Sequence, residues 1–132
     1  MRRGGSDDRL SKMRALPKLE KTMSERVEVR RFAEAMDAKL RRNDHKGGWA
    51  DCGRGYLRRR LRTELRELFA ILDTLTRIEA KVDWSERDQR AHDDACAKLL
   101  GECADVANFA MMVADTHDVL NRDRVEKLRA PR

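Results

Sequence analysis

Residues 56–79 read YLRRRLRTELRELFAILDTLTRIE. Leucines recur here at steps of three and four residues for five turns, the spacing that places side chains on one face of an α-helix, while arginines occupy the other faces. These leucines are Leu57, Leu61, Leu65, Leu68, Leu72 and Leu75. The segment therefore predicts an amphipathic helix that buries one side against other helices.

Two long helices are predicted on either side of this segment. Thr22 and Glu25 have the spacing of a capping box and precede an apolar stripe, which predicts a helix over about 24–42. Ser85 and Asp88 give a second such cap, followed by a stripe that predicts a helix over 86–118. Gly101 is the weak point of that helix, at a cost of about 1 kcal/mol relative to alanine.

The intervening and terminal segments are shorter. Residues 43–55 contain four glycines and two aspartates, which predict a loop around the single large apolar side chain of Trp49. Residues 119–129 predict a final short helix. The sequence thus favours an all-α bundle of three to four main helices, with a flexible basic arm over 1–23, a helical domain over 24–118, and a short helix and tail over 119–132.

The composition excludes several classes of protein. Charged residues make up 41% of the 132 residues and aromatic residues 5%, which disfavours sandwich and membrane folds. No run approaches the roughly 18 apolar residues of a membrane span, and the N-terminus lacks the apolar core of a signal peptide, so we expect a cytoplasmic protein without a membrane partner.

The net charge of +6 comes from the two ends of the chain. Residues 24–115 hold 18 basic and 18 acidic residues, whereas residues 1–23 hold seven basic and three acidic ones. No aromatic or glycine pattern accompanies the basic residues, so solvated tails are favoured over a clamp on a phosphate backbone, and no specific nucleic-acid partner is expected.

The three cysteines, Cys52, Cys96 and Cys103, form no CxxC pair, which disfavours a disulfide framework or a zinc ribbon. His92 and Cys96 are four residues apart and offer, with Cys52, an alternative zinc set, but packing is the preferred interpretation. Cys96 and Cys103 share a helix face, and both are predicted to lie in the core.

The helix over 86–118 is apolar around most of its circumference near residues 107–114. Such a helix needs cover on several sides, and a chain of this size has little core of its own. We therefore expect a homodimer or homotetramer that completes the bundle.

Two acid pairs stand at i and i+3 on separate predicted helices: Glu64 with Glu67, and Glu102 with Asp105. Each pair presents its oxygens to one side of its helix, beside the apolar stripe. If the stripes pack together, four carboxylates converge and require compensating cations, for which Mg²⁺ is suited. By spacing alone, solvated faces or pairing with the neighbouring arginines is the more common explanation.

Three motifs that follow one another along the chain favour a metal site over solvated or paired acids. They are NDHKGGW at 43–49, RLRTELREL at 60–68 and ECADVANFAMM at 102–112. Over about residues 26–115 the chain resembles MazG-like nucleoside triphosphate pyrophosphohydrolases, most closely the compact phage-borne members, including MazZ-type enzymes that hydrolyse dGTP. Thr63 departs from the pattern, because many relatives carry EExxE, with glutamate at this position.

The resemblance implies an all-α enzyme that uses Mg²⁺, with Mn²⁺ as a substitute, to cleave a nucleoside triphosphate to the monophosphate and pyrophosphate. It implies metal ligation by Glu64, Glu67, Glu102 and Asp105, with Glu64 or Glu67 also accepting the proton of the attacking water. It further implies phosphate binding by Lys46, a pocket wall at Trp49, and sugar or metal-shell contact by Asn108. Trp49 also has the alternative role of anchoring its loop in the core.

The expected substrate is a purine deoxynucleotide, dGTP first, hydrolysed to supply precursors of modified DNA. A housecleaning hydrolase of non-canonical nucleotides is the nearer alternative. A non-catalytic helical binding protein is the alternative from another class.

Overall fold

A computed structural model describes residues 25–44 and 47–131, and within these ranges the chain is all-helical, as predicted. Its helices are α1 (Val27–Arg42), α2 (Arg54–Glu79), α3 (Glu86–Thr116) and α4 (Arg122–Arg129). The predicted arm over 1–23, the Thr22 cap and Lys46 lie outside the described residues. The compact unit that carries the site is Phe32–Arg132.

The helix ends have local causes. Ser85 accepts a hydrogen bond from the Asp88 backbone N–H at 3.1 Å, and the Asp88 carboxylate accepts one from the Ser85 N–H at 3.1 Å, so the predicted capping box is confirmed. The helix α3 continues through Gly101 and ends two residues before the predicted position 118. Asp118 has a φ of 56°, in the left-handed region that stops a right-handed helix.

The helices α2 and α3 run antiparallel and pack closely along their lengths. Arg54, at the start of α2, donates to the backbone carbonyl of Thr116, at the end of α3, at 3.0 Å. At the opposite end, Glu79 Oε2 lies 2.9 Å from His92 Nε2. The indole of Trp84 donates to the Ile78 carbonyl at 3.0 Å and thereby fixes the short connection between the two helices.

Few side chains are fully buried. The buried apolar residues of the described chain are Leu57, Leu75, Ile78, Ala95 and Ala104, and two polar residues, Glu64 and Asn108, are buried with them. Ala104 is fully covered, which is consistent with close approach of the α2 and α3 backbones. Two polar groups therefore occupy a large share of a small interior.

The prediction that Cys96 lies in the core is wrong. Its side chain is exposed, whereas Cys103, on the same predicted face, is half-buried. A seven-residue spacing places two side chains on one helix face, but it does not determine whether a neighbouring element covers both. None of the described helices combines the length and apolar character of a membrane span.

The first prediction concerns the core. Replacement of Leu57, which is 1% exposed, by alanine should lower the free energy of unfolding by about 2–5 kcal/mol, because it removes apolar contacts and leaves a cavity. Urea denaturation followed by circular dichroism measures the change. Leu128→Ala is the matched control, since Leu128 is 87% exposed and its truncation should cost less than about 0.5 kcal/mol. Equal losses in the two variants would contradict the described core.

Candidate metal and nucleotide site

Three carboxylates from two helices meet at one place. Glu64 and Glu67 come from successive turns of α2 and Glu102 from α3, and one oxygen of each lies within 4.8 Å of those of the other two. Glu64 is buried at 5% exposure, Glu102 is half-buried and Glu67 is exposed. The cluster therefore extends from the interior to the surface, as the predicted packing of the two stripes requires.

The fourth predicted acid, Asp105, lies beside this group in a different environment. Its Oδ2 atom is 3.3 Å from Lys39 Nζ of α1, and both side chains are about three-quarters buried. The Asp105 charge still raises the pKa of both Glu64 and Glu102. The structure thus brings three of the four acids together and places the fourth within electrostatic reach, held by a lysine.

Burial and like charge shift the titration of the cluster. Burial is the largest cause that raises the pKa of Glu64 to about 7, followed by the hydrogen bond and the charge of Glu67. Arg60 opposes this shift, since its Nη2 lies 3.2 Å from Glu64 Oε2. Burial and the charges of Glu67 and Asp105 also raise the pKa of Glu102. Near neutral pH the Glu64 carboxyl group is therefore partly protonated, and a bound cation would displace its proton.

Two buried oxygen atoms near the cluster accept no hydrogen bond from any described residue: Glu102 Oε2 and Asn108 Oδ1. A buried acceptor without a donor is costly, which suggests that something else satisfies it. The donor set is carboxylate oxygen only, which suits hard divalent cations such as Mg²⁺ and Mn²⁺. The orphaned oxygen of Glu102 and the proximity of three carboxylates fit a divalent metal ion.

A pocket of about 630 Å³ adjoins the acids. Glu64, Asp105 and Asn108 are among the residues that line it, as are the aromatic residues Trp49, Tyr56 and Phe109. Lys39 and Arg60 add two cations to the wall. A volume of this size, with both polar and aromatic groups in its lining, accommodates a small-molecule ligand.

Trp49 both lines the pocket and is anchored. Its indole N–H donates to Asp115 Oδ2 of α3 at 2.8 Å, which ties the loop before α2 to the end of α3. Gly47, on the same loop, has a φ of 87°, which a residue with a Cβ adopts only with strain. The two interpretations of Trp49, as pocket wall and as loop anchor, are therefore compatible.

The buried side chain of Asn108, 3% exposed, has a fixed orientation. Its Nδ2 donates to the backbone carbonyl of Met36 in α1 at 3.0 Å, so Oδ1 remains the acceptor at the pocket wall. Thr63, which stands in place of a glutamate of the resembled motif, donates its hydroxyl to the Arg59 carbonyl at 3.2 Å and contributes no carboxylate. Met112 of α3 also lines the pocket.

The alternative zinc set is not assembled. His92 contacts Glu79, and its ring nitrogens lie 3.8 and 4.0 Å from Cys96 Sγ, while Cys52 lines the pocket near the start of α2. Among the described residues, the acids of α2 and α3 form the group whose spacing allows shared ligation of a metal.

Sequence reasoning missed two polar contributors to the site, Lys39 and Asp115, and considered Arg60 only as one of several arginines that could pair with the acids. The four-residue separation of Arg60 and Glu64 was an available signal, because such pairs face each other on a helix. Lys39 and Asp115 act across 66 residues, on Asp105 and Trp49 respectively, and no local pattern encodes such pairs.

Comparisons with known proteins return no relative: no family model matches the chain, and neither a curated protein nor a solved structure matches it significantly. The geometry of the site and the sequence motifs are thus the basis for assigning a function.

The second prediction is a pH dependence of stability without metal. The pKa of Glu64 rises from 4.5 to about 7 on folding, so the folded state holds its proton more tightly, and stability falls as pH rises through this range. Between pH 5 and 8 in EDTA, the free energy of unfolding should fall by about 1–3 kcal/mol. Urea denaturation at the two pH values measures it.

Two comparisons make this prediction specific. Glu64→Gln should remove most of the pH dependence, and Mg²⁺ should restore stability to the unsubstituted chain at pH 8. Glu86→Gln is the control, because the Glu86 side chain is 95% exposed and distant from the cluster. An unchanged pH dependence in Glu64→Gln would refute the electrostatic description of the cluster.

Proposed function

We propose that this chain is a magnesium-dependent nucleoside triphosphate pyrophosphohydrolase that releases a nucleoside monophosphate and pyrophosphate. The observation that carries the proposal is the cluster of three carboxylates within 4.8 Å of one another beside a pocket of about 630 Å³. The resemblance of residues 26–115 to MazG-like enzymes supports it, because the same acids belong to the resembled motifs.

Electrostatics favours a divalent cofactor for this reaction. A triphosphate brings about four negative charges toward a wall of carboxylates, and charges of one sign a few ångströms apart repel by several kcal/mol at intermediate dielectric. Glu64, Glu67, Glu102 and Asp105 would hold Mg²⁺, or Mn²⁺ in its place. When bound, the metal supplies charge compensation and orients the phosphates for in-line attack by water.

The two cations at the site would change partners when the substrate arrives. Lys39 forms an ion pair with Asp105, and Arg60 forms one with Glu64. Once the acids bind metal, these cations become available to the phosphates, with Arg60 able to bind two oxygens at once. We assign the same role to Lys46, as the resemblance implies.

The remaining groups position the nucleoside and move the proton. Glu64 or Glu67 accepts the proton of the attacking water, and the raised pKa of Glu64 brings that carboxylate close to the neutral range in which a general base is effective. Asn108 Oδ1, an acceptor without a donor, is suited to a sugar hydroxyl. Trp49 and Phe109 offer aromatic surface to the base.

The preferred substrate in this proposal is a purine deoxynucleotide, dGTP first, and the reaction supplies precursors of modified DNA in the cytoplasm. A housecleaning role on non-canonical nucleotides is the alternative within the same chemistry. Incubation with a panel of nucleotides and Mg²⁺, with detection of pyrophosphate and monophosphate, distinguishes these two. A non-catalytic binding protein would turn over none of them.

The third prediction tests the acids. Glu67→Gln, Glu102→Gln and Asp105→Asn should each lower kcat by about a hundredfold or more, because each removes a negatively charged ligand of the metal ion that would stabilise the reacting phosphates. Steady-state pyrophosphate release measures activity, and calorimetric titration with Mg²⁺ should show weakened binding in each variant. Glu86→Gln should retain full activity. Full activity in all three acid variants would exclude the proposed site.

The fourth prediction concerns assembly, since we also propose a homodimer or homotetramer. Leu100 and Ala110 of α3 are both exposed, and a second copy would cover them. Light scattering at micromolar concentration should give a multiple of 15.4 kDa for the unsubstituted chain and a smaller mass for Leu100→Arg and Ala110→Arg. Val82→Arg, at a 95% exposed position, is the control. A monomeric unsubstituted chain would contradict the proposal.

A further inference from the structure

A row of arginines on α2 has no part in the site described above. Arg58, Arg59, Arg62 and Arg66 are all exposed. At 3.6 residues per turn, Arg62 and Arg66 are each separated from Glu64 by about 160° around the helix axis, and Arg59 by about 140°. The arginines therefore occupy the outer side of the helix whose inner side carries the buried acid.

These four arginines, here called the arginine row, form no salt bridge with a described residue. Other arginines do pair: Arg60 with Glu64, Arg41 with Asp37 and Arg90 with Glu86. Like charges three and four residues apart on a helix destabilise it slightly, and no acidic residue in the first turn of α2 compensates them. The arginine row therefore concentrates positive charge on one side of α2 without stabilising the helix.

A second cleft adjoins the N-terminal end of the arginine row. Arg54 and Arg58, with Leu61, Val113 and His117, line a cavity of about 360 Å³ between the start of α2 and the end of α3. This cleft shares no lining residue with the larger pocket beside the acids. With Arg54 and Arg58, basic residues continue along α2 from Arg66 to the beginning of the helix.

We propose that the arginine row binds the phosphate backbone of a nucleic acid without reading its bases. From Arg58 to Arg66 the helix rises about 12 Å, and one strand presents a phosphate about every 3.4 Å along its axis, so three or four phosphates lie within reach. One guanidinium group can bind two oxygens of a phosphate at once, so a surface made of arginines is suited to phosphate. Glu64 faces away and does not repel the strand.

The test uses the full chain and a fluorescently labelled 20-nucleotide strand, alone and as a duplex, in anisotropy titrations between 50 and 200 mM salt. The triple variant Arg59→Ala, Arg62→Ala and Arg66→Ala should lose at least about tenfold in affinity and about two to three units of the slope of log affinity against log salt. Strands of different sequence should bind alike.

The control variant removes the same amount of positive charge from a different helix. Arg122→Ala, Arg124→Ala and Arg129→Ala on α4 together remove three exposed cations and should alter affinity much less than the row variant. Circular dichroism verifies that both triple variants remain helical. Equal losses in the two variants would show binding by net charge alone and overturn the proposal. The absence of nucleic-acid binding at 50 mM salt would also overturn the proposal. So would a chain that binds vesicles of anionic lipid in a sedimentation assay but does not bind the labelled strands.

Discussion

The mutual repulsion of carboxylates held together by helix packing is the constraint that governs this molecule. Close packing of α2 against α3 brings Glu64, Glu67 and Glu102 together, and the burial of Glu64 keeps its carboxyl group near the other two. Arg60 and Lys39 offset part of the repulsion, and protonation of Glu64, whose pKa is raised, offsets another part. A divalent cation would compensate the same charge directly and would leave both basic residues available for an anionic ligand.

The rim of the pocket depends on polar contacts more than on apolar packing. Trp49 binds Asp115 through its indole, and Arg54 binds the carbonyl of Thr116, so the loop before α2 is tied twice to the last turn of α3. Such contacts on an exposed rim contribute modestly to stability, since water competes for each partner. The acids therefore lie on the two packed helices together with Tyr56 and Phe109, whereas Trp49 lies on a loop that polar contacts hold in place.

Local patterns in the sequence predicted the helices well and the site in part. The helix predicted over 56–79 begins at Arg54 and ends at Glu79, since amphipathic spacing is a property of neighbouring residues. The acid pairs were recognisable for the same reason. The ion pair of Lys39 with Asp105 and the bond of Trp49 to Asp115 were not, because they depend on how helices pack. The error at Cys96 has the same origin: periodicity defines a face but not its cover.

Charge segregation on α2 connects these features. Residues 24–115 carry equal numbers of acidic and basic residues, yet the buried acid of α2 faces α3 while the arginine row faces outward. A helix with its side chains is about 10–12 Å across, so the exposed arginines lie well beyond ion-pair distance from the buried acid on the opposite side. One helix can therefore present an anionic site for cations inward and a cationic surface for anions outward. Equal numbers of acidic and basic residues over 24–115 are therefore compatible with strong local electrostatic fields on both sides of α2.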